Sequence, residues 1–431
     1  MGKVTGLAAL LGLLLAGSAA AQDRPPVDPE PIACPASVGP NVRCQSVRDA
    51  NGAWLVLAMP ETWNRRLIVH AHGGPRTGQP EADDELEDLS RFSVMVRQGY
   101  AWVGTTYRRP GYGVRSAAAD VEEARKVAWA VFGKPERTIL HGQSWGGNVA
   151  AKVAELHALD LYGGRNYDGV LLTNGVLMGG TRAYGFRADL RAVYQFYCRN
   201  HPAREDGAYP VWQGLPEGAD MTRAELRRRI VACTGWGLSQ RDRTADQSRR
   251  LHDILAVTGI VEDELVDHMN WATFLFQDLV HRRLKGLNPF DNSTTVYRGS
   301  SDDEALNAGV PRFRADPEAV ARLAWDADLS GLIVAPTMTL HALHDPTVSF
   351  DAERIYAETV ARAGRSDLLV QAATDEDQHS KLEDKGYLTA LAALERWIDS
   401  GVRPDPEQFQ ADCLALPQAG ACRFLGGGAT P

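Results

Sequence analysis

The chain alternates between short apolar runs and longer stretches in which apolar residues recur at helical spacing. Ala53–Met59, Arg66–His72 (RLIVHAH) and Tyr100–Tyr107 (YAWVGTTY) are compact, apolar and closed by glycine, proline or charge, as buried strands are. Asp120–Phe132 spaces Val121, Ala124, Val127, Ala128 and Val131 along one helix face. Arg137–His141 predicts a further strand, Asn148–His157 a helix and Tyr167–Thr173 a strand. This alternation predicts an α/β fold: a mostly parallel sheet with helices on both faces.

The alternation stops near Thr181. From there to Ser330 the patterns are mainly helical, as in Thr222–Ala232, Ala245–Ala256 and Glu262–Leu284. Strand and helix resume with Leu332–His341, Asp351–Ala363, Leu368–Ala372 and Leu388–Ile398. The reading is therefore a core in two parts, 51–180 and 331–402, interrupted by a helical cap insertion, 181–330. Such a cap belongs over the C-terminal edge of the sheet, where open α/β sheets bind ligands. Proline-rich residues 22–50 read as an extended leader and 403–431 as a C-terminal tail.

The first 22 residues, MGKVTGLAALLGLLLAGSAAAQ, join Lys3 to an apolar run from Leu7 to Ala16 and an Ala19-Ala20-Ala21 site. That predicts a signal peptide, residues 1–21, cleaved after Ala21. The run is shorter than the roughly 20 residues needed to span a bilayer. Arginine far outnumbers lysine, which fits a GC-rich bacterial genome, so the expected location is secreted or periplasmic. All 6 cysteines lie beyond the signal, and an even number in an oxidising compartment predicts disulfides. Fifteen pairings are possible for six cysteines. The expectation is pairing near in sequence: Cys34–Cys44, Cys198–Cys233 and Cys413–Cys422. No C-x-x-C occurs and no histidine stands at ligand spacing from a cysteine, so no metal is expected. Across 431 residues the net charge is −9, with no basic cluster, which argues against nucleic acid and anionic membranes as partners.

One short stretch carries the chemistry. Gly142-Gln143-Ser144-Trp145-Gly146 stands between a predicted strand and a predicted helix, the context in which G-x-S-x-G makes a serine nucleophile. Its proton needs a base, and the base a carboxylate, in the chain order Ser, acid, His. Of the 11 histidines, His379 alone lies beyond the last candidate acid strand. Asp345, just after the strand ending at His341, is the expected acid. Asp375 and Asp377 stand too close to His379 in sequence to be first choice, and His344 reads as a loop residue. A tetrahedral oxyanion needs two donors. The Trp145 N–H is one, and Gly74 in His72-Gly73-Gly74-Pro75 the other, with Gly73 next.

With HGGP, GQSWGG, Asp345 and His379 in this order, the chain resembles the α/β-hydrolase superfamily over nearly all of residues 51–402. The resemblance implies a serine hydrolase acting through an acyl-enzyme without a cofactor. HGGP with SWGG is similar to the proline iminopeptidase group, although Arg76 stands where that group has another glycine. A secreted chain with the helix end ALERWIDSGVRP is similar to tannases and feruloyl esterases. The function read from this is an exported ester hydrolase acting on a small-molecule ester. The alternative is an exported peptidase or amidase acting on a short peptide-like substrate. A binding protein on an inactive hydrolase fold is a third reading, opposed by the intact constellation. The sequon Asn292-Ser293-Thr294 and the acidic Ser301–Glu304 read as ordinary surface. Trp271, Phe274 and Phe276 read as packing, one of them able to line a pocket.

Overall fold

The computed structural model describes residues 28–426. The signal peptide and its cleavage site after Ala21 lie outside them. Nine strands form one sheet in the order β1-β2-β3-β5-β4-β6-β7-β8-β9. They are β1 (Glu30–Ile32), β2 (Val42–Arg48), β3 (Trp54–Pro60), β4 (Arg66–Ala71), β5 (Ala101–Thr105), β6 (Arg137–Gln143), β7 (Gly169–Thr173), β8 (Thr337–Ala342) and β9 (Leu369–Thr374). The first three strands and the β3–β5 pair are antiparallel, and every pairing from β5 to β9 is parallel.

Side chains alternate across the parallel strands. In β4, Leu67 and Val69 join a cluster with Val121 and Val149 of the Val114–Phe132 and Trp145–Leu156 helices. Ile68 points the other way, toward Phe92, Leu391 and Trp397. Both sheet faces are thus covered, which is why these strands read as apolar runs. This is the α/β-hydrolase architecture that the resemblance implies. Between β7 and β8 the described elements are all helices. They bury a cluster of their own, including Leu190, Tyr194, Ile230, Ile254 and Met269.

Three boundaries differ from the sequence reading. Residues 30–48 are not a free leader, since β1 and β2 extend the sheet through antiparallel pairing. Polar alternation in VRCQSVR suits this position, with Cys44 and Ser46 buried. The strand expected from Leu332 begins at Thr337, because Pro336 has no N–H to give to the ladder. The helix expected over 262–284 is present and continuous to Arg283, but its winding changes along it, from Leu265–Asn270 (α) to the π-helical turns Trp271–Leu275 and Asp278–Arg283.

The C-terminal segment is also tied down. Leu425 N–H donates to Ala373 O (2.9 Å) and Asp375 N–H to Arg423 O (2.8 Å), so residues 423–425 cover the outer edge of β9. The three disulfides are Cys34–Cys44, Cys198–Cys233 and Cys413–Cys422, as expected, and no cysteine is free. The second joins two cap helices, Gly185–Cys198 and Arg223–Thr234. Three disulfides fit an oxidising compartment. Among the described residues no helix is long and apolar enough to cross a membrane.

Candidate active site

Strand β6 ends on Gln143, and the next helix starts at Trp145. Ser144 between them has φ 58° and ψ −126°, a conformation that L-residues resist and that surrounding structure must impose. Its N–H donates to Thr173 O (3.0 Å), and its carbonyl accepts from Gly147 and Val176 N–H (2.9 Å each). The glycines around it are there for space. A Cβ on Gly146 would lie 2.0 Å from Ala71 O, one on Gly142 2.3 Å from Gly146 O, and one on Gly147 2.7 Å from Gly175 Cα. The elbow can form only where strand and helix approach this closely.

The structure brings His379 and Asp345 to the same point. His379 Nε2 is 2.7 Å from Ser144 Oγ, and His379 Nδ1 is 2.7 Å from Asp345 Oδ2. Asp345 Oδ1 accepts from the N–H groups of Thr347 (2.8 Å) and Val348 (2.9 Å), which fixes the carboxylate plane. Burial alone would raise this carboxyl, but His341 and His379 beside it, through hydrogen bonding and through charge, hold it well below the usual range. Asp375 and Asp377 are exposed and turn elsewhere, toward His344 and Gln378.

Two residues that the sequence reading did not single out hold the histidine loop. Asn174, at the end of β7 with φ 43°, donates to Gln378 O (3.0 Å) and His379 O (2.7 Å) and accepts from Ala342 N–H (2.8 Å). Gln143 donates to His379 O at 3.0 Å. Asn174 had one legible signal, a polar residue at the C-terminal end of a buried parallel strand. Gln143 fills the variable position of G-x-S-x-G, and no pattern marks it.

The exchange of β4 and β5 in the sheet makes β4 the neighbour of β6, with Ala71 opposite Gly142. The loop after β4 therefore lies against Ser144. A Cβ on Gly73 would come 2.4 Å from Gln143 Oε1 and 3.2 Å from Ser144 Cβ, whereas Gly74, at φ +63°, faces open space. Trp145 is the first residue of its helix, so its N–H has no intrahelical acceptor. His72 shapes the loop through Nδ1 and Gly73 O (2.9 Å). Burial, with the nearby Arg76 charge, pushes its pKa down to about 3, so the ring is neutral.

The helices between β7 and β8 hold the acid loop. Buried Arg187 donates from Nε to His268 Nδ1 (3.1 Å) and from Nη2 to Thr347 O (3.3 Å), while His268 Nε2 donates to Pro346 O (3.2 Å). Burial pushes His268 down to about 3 and Arg187 to about 10. The Arg187 guanidinium lies 4.7 Å from the Trp271 ring, and Trp271 lines two clefts. One, of about 200 Å³, is lined by Gly73, Gly74, Asn270 and Phe274. The other, of about 680 Å³, contains His379 and the carboxylates of Asp263, Glu264, Asp267 and Asp377. A π-helical turn such as the one carrying Trp271 often marks a functional region. A larger cleft of about 880 Å³, beside Arg115 and Trp325, contains none of these residues.

Phe276 is core, stacked on Phe290 at 4.4 Å. Asn292 is buried and bonded to Tyr297 and Pro311, so the sequon amide is enclosed. Asp302 and Asp303 cap backbone N–H groups. No cluster of three or more metal-ligating side chains occurs among the described residues.

No protein-family model matches the chain, and no functionally described protein matches it by sequence. Its shape is similar to an esterase from Aspergillus oryzae, at 15% identity over 89% of this chain and 86% of that one, with a TM-score of 0.44. Feruloyl esterase B from Aspergillus oryzae is similar at 14% identity over 84% and 82%, with a TM-score of 0.40. Candida antarctica lipase A in its closed state is similar at 11% over 88% and 82%, with a TM-score of 0.46. Likenesses this loose assign no substrate.

Proposed function

We propose that the protein is an exported serine hydrolase that cleaves carboxylic esters through Ser144, His379 and Asp345. The observation that carries this reading is the pair of 2.7 Å hydrogen bonds linking Asp345, His379 and Ser144 at a strained elbow. His379 Nε2 takes the Ser144 proton as Oγ attacks the ester carbonyl, and Asp345 holds the other ring nitrogen and offsets the imidazolium charge. The N–H groups of Trp145 and Gly74 receive the developing oxyanion. The intermediate collapses, His379 gives its proton to the leaving alkoxide, and water then releases the acid by the same route. No step calls for a cofactor. Residues 181–330 act as the cap that shapes the cleft, and residues 1–21 as the signal that directs export.

One observation favours a second reading, an exported peptidase or amidase. The cleft on the His379 side is lined by four carboxylates, a wall suited to an amine. Turnover of p-nitrophenyl esters set against aminoacyl anilides separates the two. Ser144→Ala should abolish both turnover and labelling by a fluorophosphonate, leaving the fold intact. Labelling that persists in this variant would place the nucleophile elsewhere.

A further inference from the structure

The strand that delivers the acid carries a second histidine behind it. His341, in β8, has a fully buried side chain, as does Asp345. Its Nδ1 is 3.0 Å from Glu353 Oε1, and its Nε2 is 3.1 Å from Val348 O and 3.6 Å from Asp345 Oδ2. A carbonyl oxygen cannot donate, so Nε2 must carry a hydrogen. That leaves Nδ1 facing a carboxylate, where two lone pairs would collide unless a proton lies between them. The other Glu353 oxygen accepts from the Thr339 hydroxyl and from Gln371 Nε2. The buried pair therefore holds one proton more than a neutral imidazole beside a carboxylate.

We propose that His341 and Glu353 are positioning residues for the Ser144 reaction: a buried, proton-holding pair that keeps a cation behind Asp345 and so tunes His379 as a base. The inference rests on the Ser144–His379–Asp345 reading. Burial opposes charge on His341, but the Asp345 and Glu353 carboxylates overcome it and raise its pKa to about 10. The cation keeps Asp345 ionised although its side chain is buried, and it offsets part of the field that Asp345 exerts on His379. Other groups facing this acid loop are Arg187 and His268 from the cap, and Glu264, which accepts from the Thr347 hydroxyl at 3.2 Å. On the far side of His341 the Phe350 ring packs edge-on at 5.7 Å.

Glu353→Gln is the discriminating variant. A glutamine can donate from its amide to His341 Nδ1 while its oxygen accepts from Thr339 or Gln371. Every hydrogen bond is then satisfied with a neutral imidazole, so the fold survives while the cation is lost together with the carboxylate that holds it. The lost carboxylate sat on the ring nitrogen away from Asp345, so the nearer of the two lost charges is the positive one, and protonated His379 is better stabilised. The acid limb of the kcat/KM profile should therefore move up by about half a pH unit or more, with KM little changed. His341→Gln should move it in the same direction.

Nitrogen-15 histidine spectra of the wild type should show one ring protonated on both nitrogens at pH 8, a signature absent from Glu353→Gln. An unmoved acid limb in both variants, or no doubly protonated histidine in the wild type, overturns the proposal and leaves the pair structural. Failure of the triad reading looks different, because Ser144→Ala would then keep its turnover.

Discussion

Ser144, His379 and Asp345 come from three loops, and their geometry depends on how tightly each loop is held. Asp345 is buried with both oxygens engaged, whereas Asp375 and Asp377 are exposed. Asp345→Asn should thus lower kcat on the order of 10³-fold or more, because the amide favours the wrong histidine tautomer. Asp375→Asn and Asp377→Asn should each cost less than about tenfold in steady-state kinetics. Asn174 offers a second residue-scale test. Its side chain links the β7, β8 and β9 loops, so Asn174→Ala should reduce kcat by roughly ten- to a hundredfold, since small misplacements near the chemistry cost this much. Fluorophosphonate labelling of Ser144 in that variant should slow but persist. Chain order led to the serine, acid and histidine because each has a required chemical type. Gln143 and Asn174 act on backbone carbonyls, which many polar residues could reach, so spacing did not mark them.

Among the elements, the elbow tolerates little change. A methyl group on Gly146 has nowhere to go, since Ala71 O and His72 O are backbone atoms of the adjacent strand and loop. Gly146→Ala should destabilise by about 3 kcal/mol or more, or prevent folding altogether. Gly185, at the start of a cap helix, has open space and no positive φ. Gly185→Ala should leave stability unchanged or raise it by about 0.4–1 kcal/mol. Urea denaturation of the two variants checks the contrast. The buried parallel strands and the amphipathic helices were legible because each has an apolar period. β2 was masked by the surrounding prolines and its polar edge-strand composition. The π-helical turns around Trp271 keep a helix-like apolar pattern, so the widened turn left no trace in the spacing.

For the molecule as a whole, buried histidines set the pH range of stability. His72 and His268 are held neutral, with pKa values lowered from 6.5 to about 3, and burial also lowers His141 and His201. The unfolded chain binds protons at these sites below about pH 6.5 while the native state does not. Stability should therefore fall as pH drops from about 6.5 toward 3, by up to about 1.4 kcal/mol per pH unit for each histidine. His341 has the opposite sign. Its pKa is raised to about 10, so its contribution is complete below pH 6.5 and is lost as pH rises through 10. Urea midpoints at pH 7.5, 5.5 and 4.5 should decline in that order, and a flat series would contradict the burial of these rings. The mostly parallel sheet and its long helical interruption were legible at this scale from the alternation of patterns. The covering of β9 was not, because one backbone bridge at Phe424 has no signature in the sequence.

That bridge has a consequence for the order of events during synthesis. A ribosome delivers the serine elbow first, the acid loop much later and the His379 loop later still. Residues 423–425, which shelter the β9 edge behind that loop, follow only after Cys413 and Cys422 have both emerged and can join. The cover of the β9 edge is thus delivered after all three of those loops, next to the two cysteines that pair beside it.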